Sequence, residues 1–173
     1  MALSDGAADR TLAAGALAGL AAGVGMGLVL HLALGLMPVI ATLIGRDTVL
    51  AGWVVHLFNS MLFGLLFVVV FVRPIFEELL VDLGGCVSLG VVHSAALGLL
   101  TGGLLLPVSL ALADATSLPI PTLPFPGIDV GMEFAVVIAL AHVLYGVLLG
   151  TTFAVLTGVA GVGRVRSDED AIA

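Results

Sequence analysis

The stretch Thr11–Gly45, TLAAGALAGLAAGVGMGLVLHLALGLMPVIATLIG, carries no charged side chain. It is longer than the roughly 20 apolar residues that cross a bilayer core. Three more charge-free stretches follow, Thr48–Val72, Leu83–Ala113 and Phe134–Gly163. Without water to satisfy the backbone, only helices or closed barrels can cross. The runs are continuous rather than alternating, so they read as helices. The expected fold is an all-α integral membrane protein, a bundle of four transmembrane helices running up and down. The expected spans are 12–37, 50–72, 84–107 and 130–158, in a single membrane domain covering residues 1–173. A secretory signal fits poorly, because the first apolar run outlasts a signal core and three further spans follow.

Composition agrees with this reading. The chain is 61% hydrophobic and 10% charged, with a mean hydropathy of +1.29. A water-soluble domain would have about a quarter of its residues charged. The net charge is −7, and the five basic residues are all arginine. An acidic balance argues against nucleic acid as a partner and suits a high-salt source. Cys86 is the only cysteine. It can form no internal disulfide and reads as a small packing residue.

Arginine sets the orientation. With four crossings, Arg10, Arg73, Arg164 and Arg166 fall on one side and Arg46 on the other. Both termini are therefore expected in the cytoplasm, across the cell membrane. Trp53 then sits near the outer interface. Pro38 is expected to bend the first span or mark its exit from the bilayer core. After Arg73-Pro74, the residues Ile75, Phe76, Leu79, Leu80 and Leu83 share one face and Glu77, Glu78 and Asp82 the other. This pattern predicts a short interfacial helix over 74–83. The Pro-rich outer segment 114–129 reads as a connector, with a lid as the sharper alternative.

The second and fourth spans share a pattern. His56, Asn59, Ser60, Gly64 and Phe67 match His142, Tyr145, Gly146, Gly150 and Phe153 in spacing. In the first span, Gly15, Gly19, Gly23 and Gly27 recur every four residues. Gly90, Ser94, Gly98 and Gly102 do so in the third. The chain reads as two parallel copies of a helical hairpin. A ridge of small residues at this spacing lets helix backbones approach closely, which drives association where lipid offers no hydrophobic gain. His31, His56 and His142 lie on these packing faces, while His93 lies off them.

Ionisable residues inside a membrane are functional candidates. One reading makes His56 and His142 the axial ligands of a haem b. A second places a metal on His31, His56 and His142, with a fourth position open. A third is proton or pH sensing, with Asn59 and Tyr145 as polar neighbours. The plainest is interhelical hydrogen bonding, since histidine joins membrane helices. No Walker loop, nucleophile elbow or intramembrane acid–base path is present, so the chain is not expected to be an enzyme. It reads as a packed structural or accessory module of the lipid bilayer, as a homo-oligomer or in a larger membrane complex. A small transporter, channel or sensor is a further alternative.

The segments Trp53–Gly64 and Ala141–Gly150, with the Gly-rich first span and the Leu-Leu-Leu-Pro107-Val run, resemble a group of small four-span membrane proteins of haloarchaeal type. The likeness extends over nearly the whole chain. It implies the four-span fold and carries no biochemical role. Members of that group often bear the label histidine kinase. The loops and tails here are too short for an ATP-binding domain. A phosphoacceptor histidine must be cytoplasmic and exposed, which is not expected of His56 or His142.

The orientation is testable by cysteine labelling in a background lacking Cys86. A cysteine at position 46 should react with an impermeant reagent from outside, and one at position 166 only from inside. Swapped accessibility would refute the assignment.

Overall fold

The computed structural model describes residues 5–105, 108 and 132–159. Helix α1 spans Asp5–Leu34 and the short α2 Met37–Ala41, followed by a 3-10 turn over Thr42–Ile44. Helix α3 spans Val49–Phe71, and a second 3-10 turn covers Pro74–Leu79. Helix α4 spans Leu83–Leu97 and runs on as a wider π-helical coil over Gly98–Leu105. Helix α5 spans Met132–Leu156. The segment 114–129, Pro107 and the arginines of the C-terminal tail lie outside the described residues.

Four helices are long and apolar enough to cross a membrane: Ala8–Leu34, Val49–Phe71, Leu83–Leu104 and Phe134–Leu156. Their outward faces carry large apolar side chains, Leu32, Leu50 and Leu99 each being at least three-quarters exposed. Water would oppose such a surface, and lipid accommodates it. The chain is an all-α, multi-pass membrane bundle.

Each helix has a local reason for its ends. Gly35 takes a left-handed φ of 62° and the Leu36 N–H turns back to the Leu30 carbonyl, so α1 stops there. Pro38 therefore does not bend the first span; it occupies the first turn of α2, where a missing N–H costs nothing. The Thr48 hydroxyl accepts from the Ala51 N–H and starts α3. The Asp82 carboxylate accepts from the Gly85 N–H at 2.7 Å and starts α4.

Helix α1 packs against both α3 and α5, and α4 packs against α5; α3 and α4 scarcely approach each other. Neighbours in the chain run antiparallel. Gly15 lies against Val68, Gly19 against Gly64 and Gly27 against Trp53. A Cβ on Gly19 would stand 2.9 Å from the Gly64 Cα and collide with the Ser60 carbonyl oxygen. A Cβ on Gly64 would stand 2.8 Å from the Gly19 Cα. The α4–α5 seam is built alike. A Cβ on Gly90 would stand 3.2 Å from the Gly150 Cα and collide with the Gly146 carbonyl oxygen. Gly146 and Gly150 in turn press on the Cα atoms of Val91 and Val87. These contacts align the two ridges with Gly19 in the place of Gly90, Gly23 in that of Ser94 and Gly27 in that of Gly98.

Rings fill the space between α3 and α4 at the end remote from α2. Phe67 packs on Phe71 and Phe153, with centroids 5.3 Å apart in each pair, and His93 stands edge-on to both Phe67 and Phe71. At the other end α2 lies across the start of α3, where a Cβ on Gly52 would stand 2.8 Å from the Met37 Cα. Met37 is fully buried by this docking.

Two expectations need correction. Residues 74–83 do not form one continuous helix, since the 3-10 helix ends at Leu79. The turn over Pro74–Leu79 folds Phe76 and Leu80 onto the core and leaves Ile75 exposed. Asp82 acts as the cap of α4 rather than as the polar face of a surface helix. The reason is length, because Gly85 packs directly on the Leu79 backbone and leaves no room for another helical turn. The second concerns Gly102. Among the described residues a Cβ there would meet nothing within 4 Å, so Gly102 packs in neither seam.

The seams predict opposite outcomes for glycines that look alike. Gly64→Leu and Gly150→Leu should each cost about 1–3 kcal/mol or more through overpacking. Gly102→Ala should be tolerated. Thermal unfolding in detergent would check this; equal stability of all three variants would contradict the packing.

Candidate functional site

A cavity of about 390 Å³ lies between the helices towards the α2 end. Every helix contributes. Met26 and Leu30 come from α1, Leu36 and Ile40 from the α2 region, and His56 and Asn59 from α3. Ser94 and Thr101 come from α4 and its π-helical extension, and His142 and Tyr145 from α5. The two histidines of the matching pattern thus border one space. Their polar neighbours Asn59 and Tyr145 border it too.

Most of the intramembrane polar side chains are occupied by backbone carbonyls. The His56 Nε2–H donates to the Gly23 carbonyl of α1 at 2.9 Å. The Tyr145 hydroxyl donates to the Ser60 carbonyl of α3 at 2.9 Å. The Ser94 hydroxyl donates from α4 to the His142 carbonyl of α5. The His93 Nε2–H donates from α4 to the Phe63 carbonyl of α3 at 3.0 Å. Other bonds stay within one helix. The His142 Nδ1–H donates to the Ile138 carbonyl at 2.9 Å, and the Ser60 and Thr101 hydroxyls donate to the carbonyls of His56 and Leu97. A carbonyl oxygen can only accept, so each bond also fixes the tautomer of its imidazole.

One correspondence between the seams is visible only in three dimensions. The carbonyl of each patterned histidine, His56 and His142, accepts a serine hydroxyl. In the first hairpin the serine is Ser60 on α3, facing Gly23 on α1. In the second it is Ser94 on α4, on the opposite side of the seam. Only one of the two facing positions can hold a side chain, because the backbones are too close for both.

His93 lies off the glycine ridges and is nevertheless a link in the core. It is 5% exposed and joins α4 to α3. Its neighbour Ser94 serves α5 instead. Successive residues on a helix point about 100° apart, so one helix packed between two others uses both positions. That adjacency is the sequence signal for His93.

The three-histidine metal site is not formed. Among the described residues no three His, Cys, Asp or Glu side chains form a group that could hold a metal. Trp53 stands between His31 and His56, edge-on to each, with ring centroids 6.1 Å away on either side. His31 does not border the cavity, and its Nδ1 is buried without a hydrogen-bond partner. Trp53 therefore packs inside the α1–α3 seam against Gly27 as well as standing near a helix end. Cys86 is fully buried beside Gly150, as a packing residue would be.

For haem the donors match in part. Among the described residues the Nε2 of His142 has no hydrogen-bond partner, whereas that of His56 is held by the Gly23 carbonyl. Axial ligation through His56 Nε2 would break the α1–α3 link. Comparison of the chain with family models, curated proteins and solved structures finds no match.

The hydrogen-bond links can be tested one at a time. Tyr145→Phe and Ser94→Ala should each lower stability by about 0.6 kcal/mol, and at most about 1.7 kcal/mol, as measured for other interhelical bonds. Unchanged denaturation curves for both would show that the links are not made.

Proposed function

We propose that the chain is a non-enzymatic module of the cell membrane that acts by packing, as an accessory subunit or homo-oligomer. The observation that carries this reading is the use made of the intramembrane polar side chains. His56, His93, Ser94 and Tyr145 each bond a backbone carbonyl on a neighbouring helix. Such bonds hold helices in register, and they leave fewer polar groups for an ion path or a reaction.

The module is a duplicated hairpin. Support comes from the matching contacts of Gly19 with Gly64 and of Gly90 with Gly150, and from the hydroxyl that meets each patterned histidine carbonyl. Both termini face the cytoplasm. Arg10 and Arg73 lie at the end remote from α2 and Arg46 lies beside α2, which suits an outward-facing α2. The acidic balance and the resemblance of Trp53–Gly64 and Ala141–Gly150 favour a haloarchaeal-type source.

A second reading, haem b held by His56 and His142, draws on their sharing one cavity. The bond from His56 Nε2 to Gly23 favours the packing reading over it. An optical spectrum separates the two. Purified protein should show no Soret band. A stoichiometric band, lost in His56→Ala and in His142→Ala, would overturn the packing reading and select haem.

A further inference from the structure

The cavity has a donor–acceptor pattern that packing does not use. Carbonyls hold His56 as the Nε2–H tautomer and His142 as the Nδ1–H tautomer. Each neutral ring therefore keeps one nitrogen with a free lone pair, Nδ1 of His56 and Nε2 of His142. Among the described residues the only buried side-chain nitrogen or oxygen without a partner is His31 Nδ1. The free nitrogens of His56 and His142 therefore each keep some accessible surface, and both residues border the cavity. Asn59 adds an amide on the same wall.

Most of the remaining wall is apolar, with Met26, Leu30, Phe63, Leu97 and Ile138 among its side chains, and the hydroxyls of Ser60, Ser94, Thr101 and Tyr145 that also border it already donate to backbone carbonyls. A charged occupant would be strongly disfavoured there. Gly102 adds room where a side chain would otherwise stand. The volume lies in the range of about 300–1,000 Å³ typical of small-molecule sites. His56 is seven residues from the start of α3, which is about 10 Å into the bundle.

We propose that this cavity binds a lipid-soluble molecule with a hydroxyl donor, of the phenol or alcohol class. The hydroxyl hydrogen goes to the free Nε2 of His142, and the apolar body lies along the Leu, Ile and Met wall. The Asn59 amide can donate to the hydroxyl oxygen. The site is independent of the packing role, because the nitrogens that receive the ligand are not those that join helices.

The test compares 4-hexylphenol with 4-hexylanisole, its O-methyl ether, on full-length protein in lipid nanodiscs. Empty nanodiscs correct for partitioning. The phenol should bind saturably at one site, about 2–10-fold more tightly than the ether, the worth of one net hydrogen bond. His142→Phe should abolish that preference at unchanged melting temperature. Gly102→Leu, which only adds volume to the wall, should abolish binding of both compounds and decides the matter if His142→Phe proves unstable. Non-saturable uptake equal to that of empty nanodiscs would overturn the proposal. So would equal affinity for phenol and ether, or a preference that survives in His142→Phe.

Discussion

Gly19 against Gly64 and Gly90 against Gly150 are the contacts on which the rest of the bundle depends. In lipid, apolar side chains gain nothing by leaving one neighbour for another. What remains is close packing and hydrogen bonding, and both need backbones within reach. Once α1 and α3 meet through glycine, the Gly23 carbonyl stands where an imidazole on α3 can bond it at 2.9 Å. Once α4 and α5 meet the same way, the Ser94 hydroxyl reaches the His142 carbonyl. These carbonyls sit within helices, so the links tie the helices together without interrupting them.

The same closeness creates the cavity. Helix α1 holds both α3 and α5 tightly, and α5 holds α4, so α3 and α4 are left facing each other across a gap. Phe67, Phe71 and His93 fill that gap at one end. Towards the other end the rings of His56, Phe63, His142 and Tyr145 border an open space, and the coil of α4 widens into π geometry after Leu97. Such departures from the α-helix occur often at functional sites. The cavity sits beyond the Phe67–Phe71–His93 cluster, which ties a candidate binding site to the geometry that stabilises the protein.

Much of this was legible in the sequence. Charge-free runs gave the spans to within a few residues, since a bilayer imposes length and apolarity directly. The four-residue glycine spacing gave the seams, and the shared His pattern pointed to two residues that border one space. Features that depend on a neighbour were not legible. Gly102 keeps the spacing of its ridge, but the π coil takes it out of the seam. The 74–83 pattern is amphipathic on paper, yet Gly85 packs on the Leu79 backbone and the 3-10 helix ends there. His31 follows its ridge faithfully and is still cut off from His56 by Trp53, because a residue at the mouth of a seam can wedge between two members of a row. The role of His93 was not legible because a ridge describes one contact face, and α4 has two.

The most direct measurement of the central claim is glycine-to-glycine proximity in a bilayer. Solid-state NMR on protein labelled with ¹³C only at glycine should show Cα–Cα cross-peaks joining Gly19 to Gly64 and Gly90 to Gly150, and none joining Gly102 to a glycine of another helix. Absence of the first two, or cross-peaks of Gly19 with Gly90 in their place, would contradict the hairpin seams and the arrangement built on them.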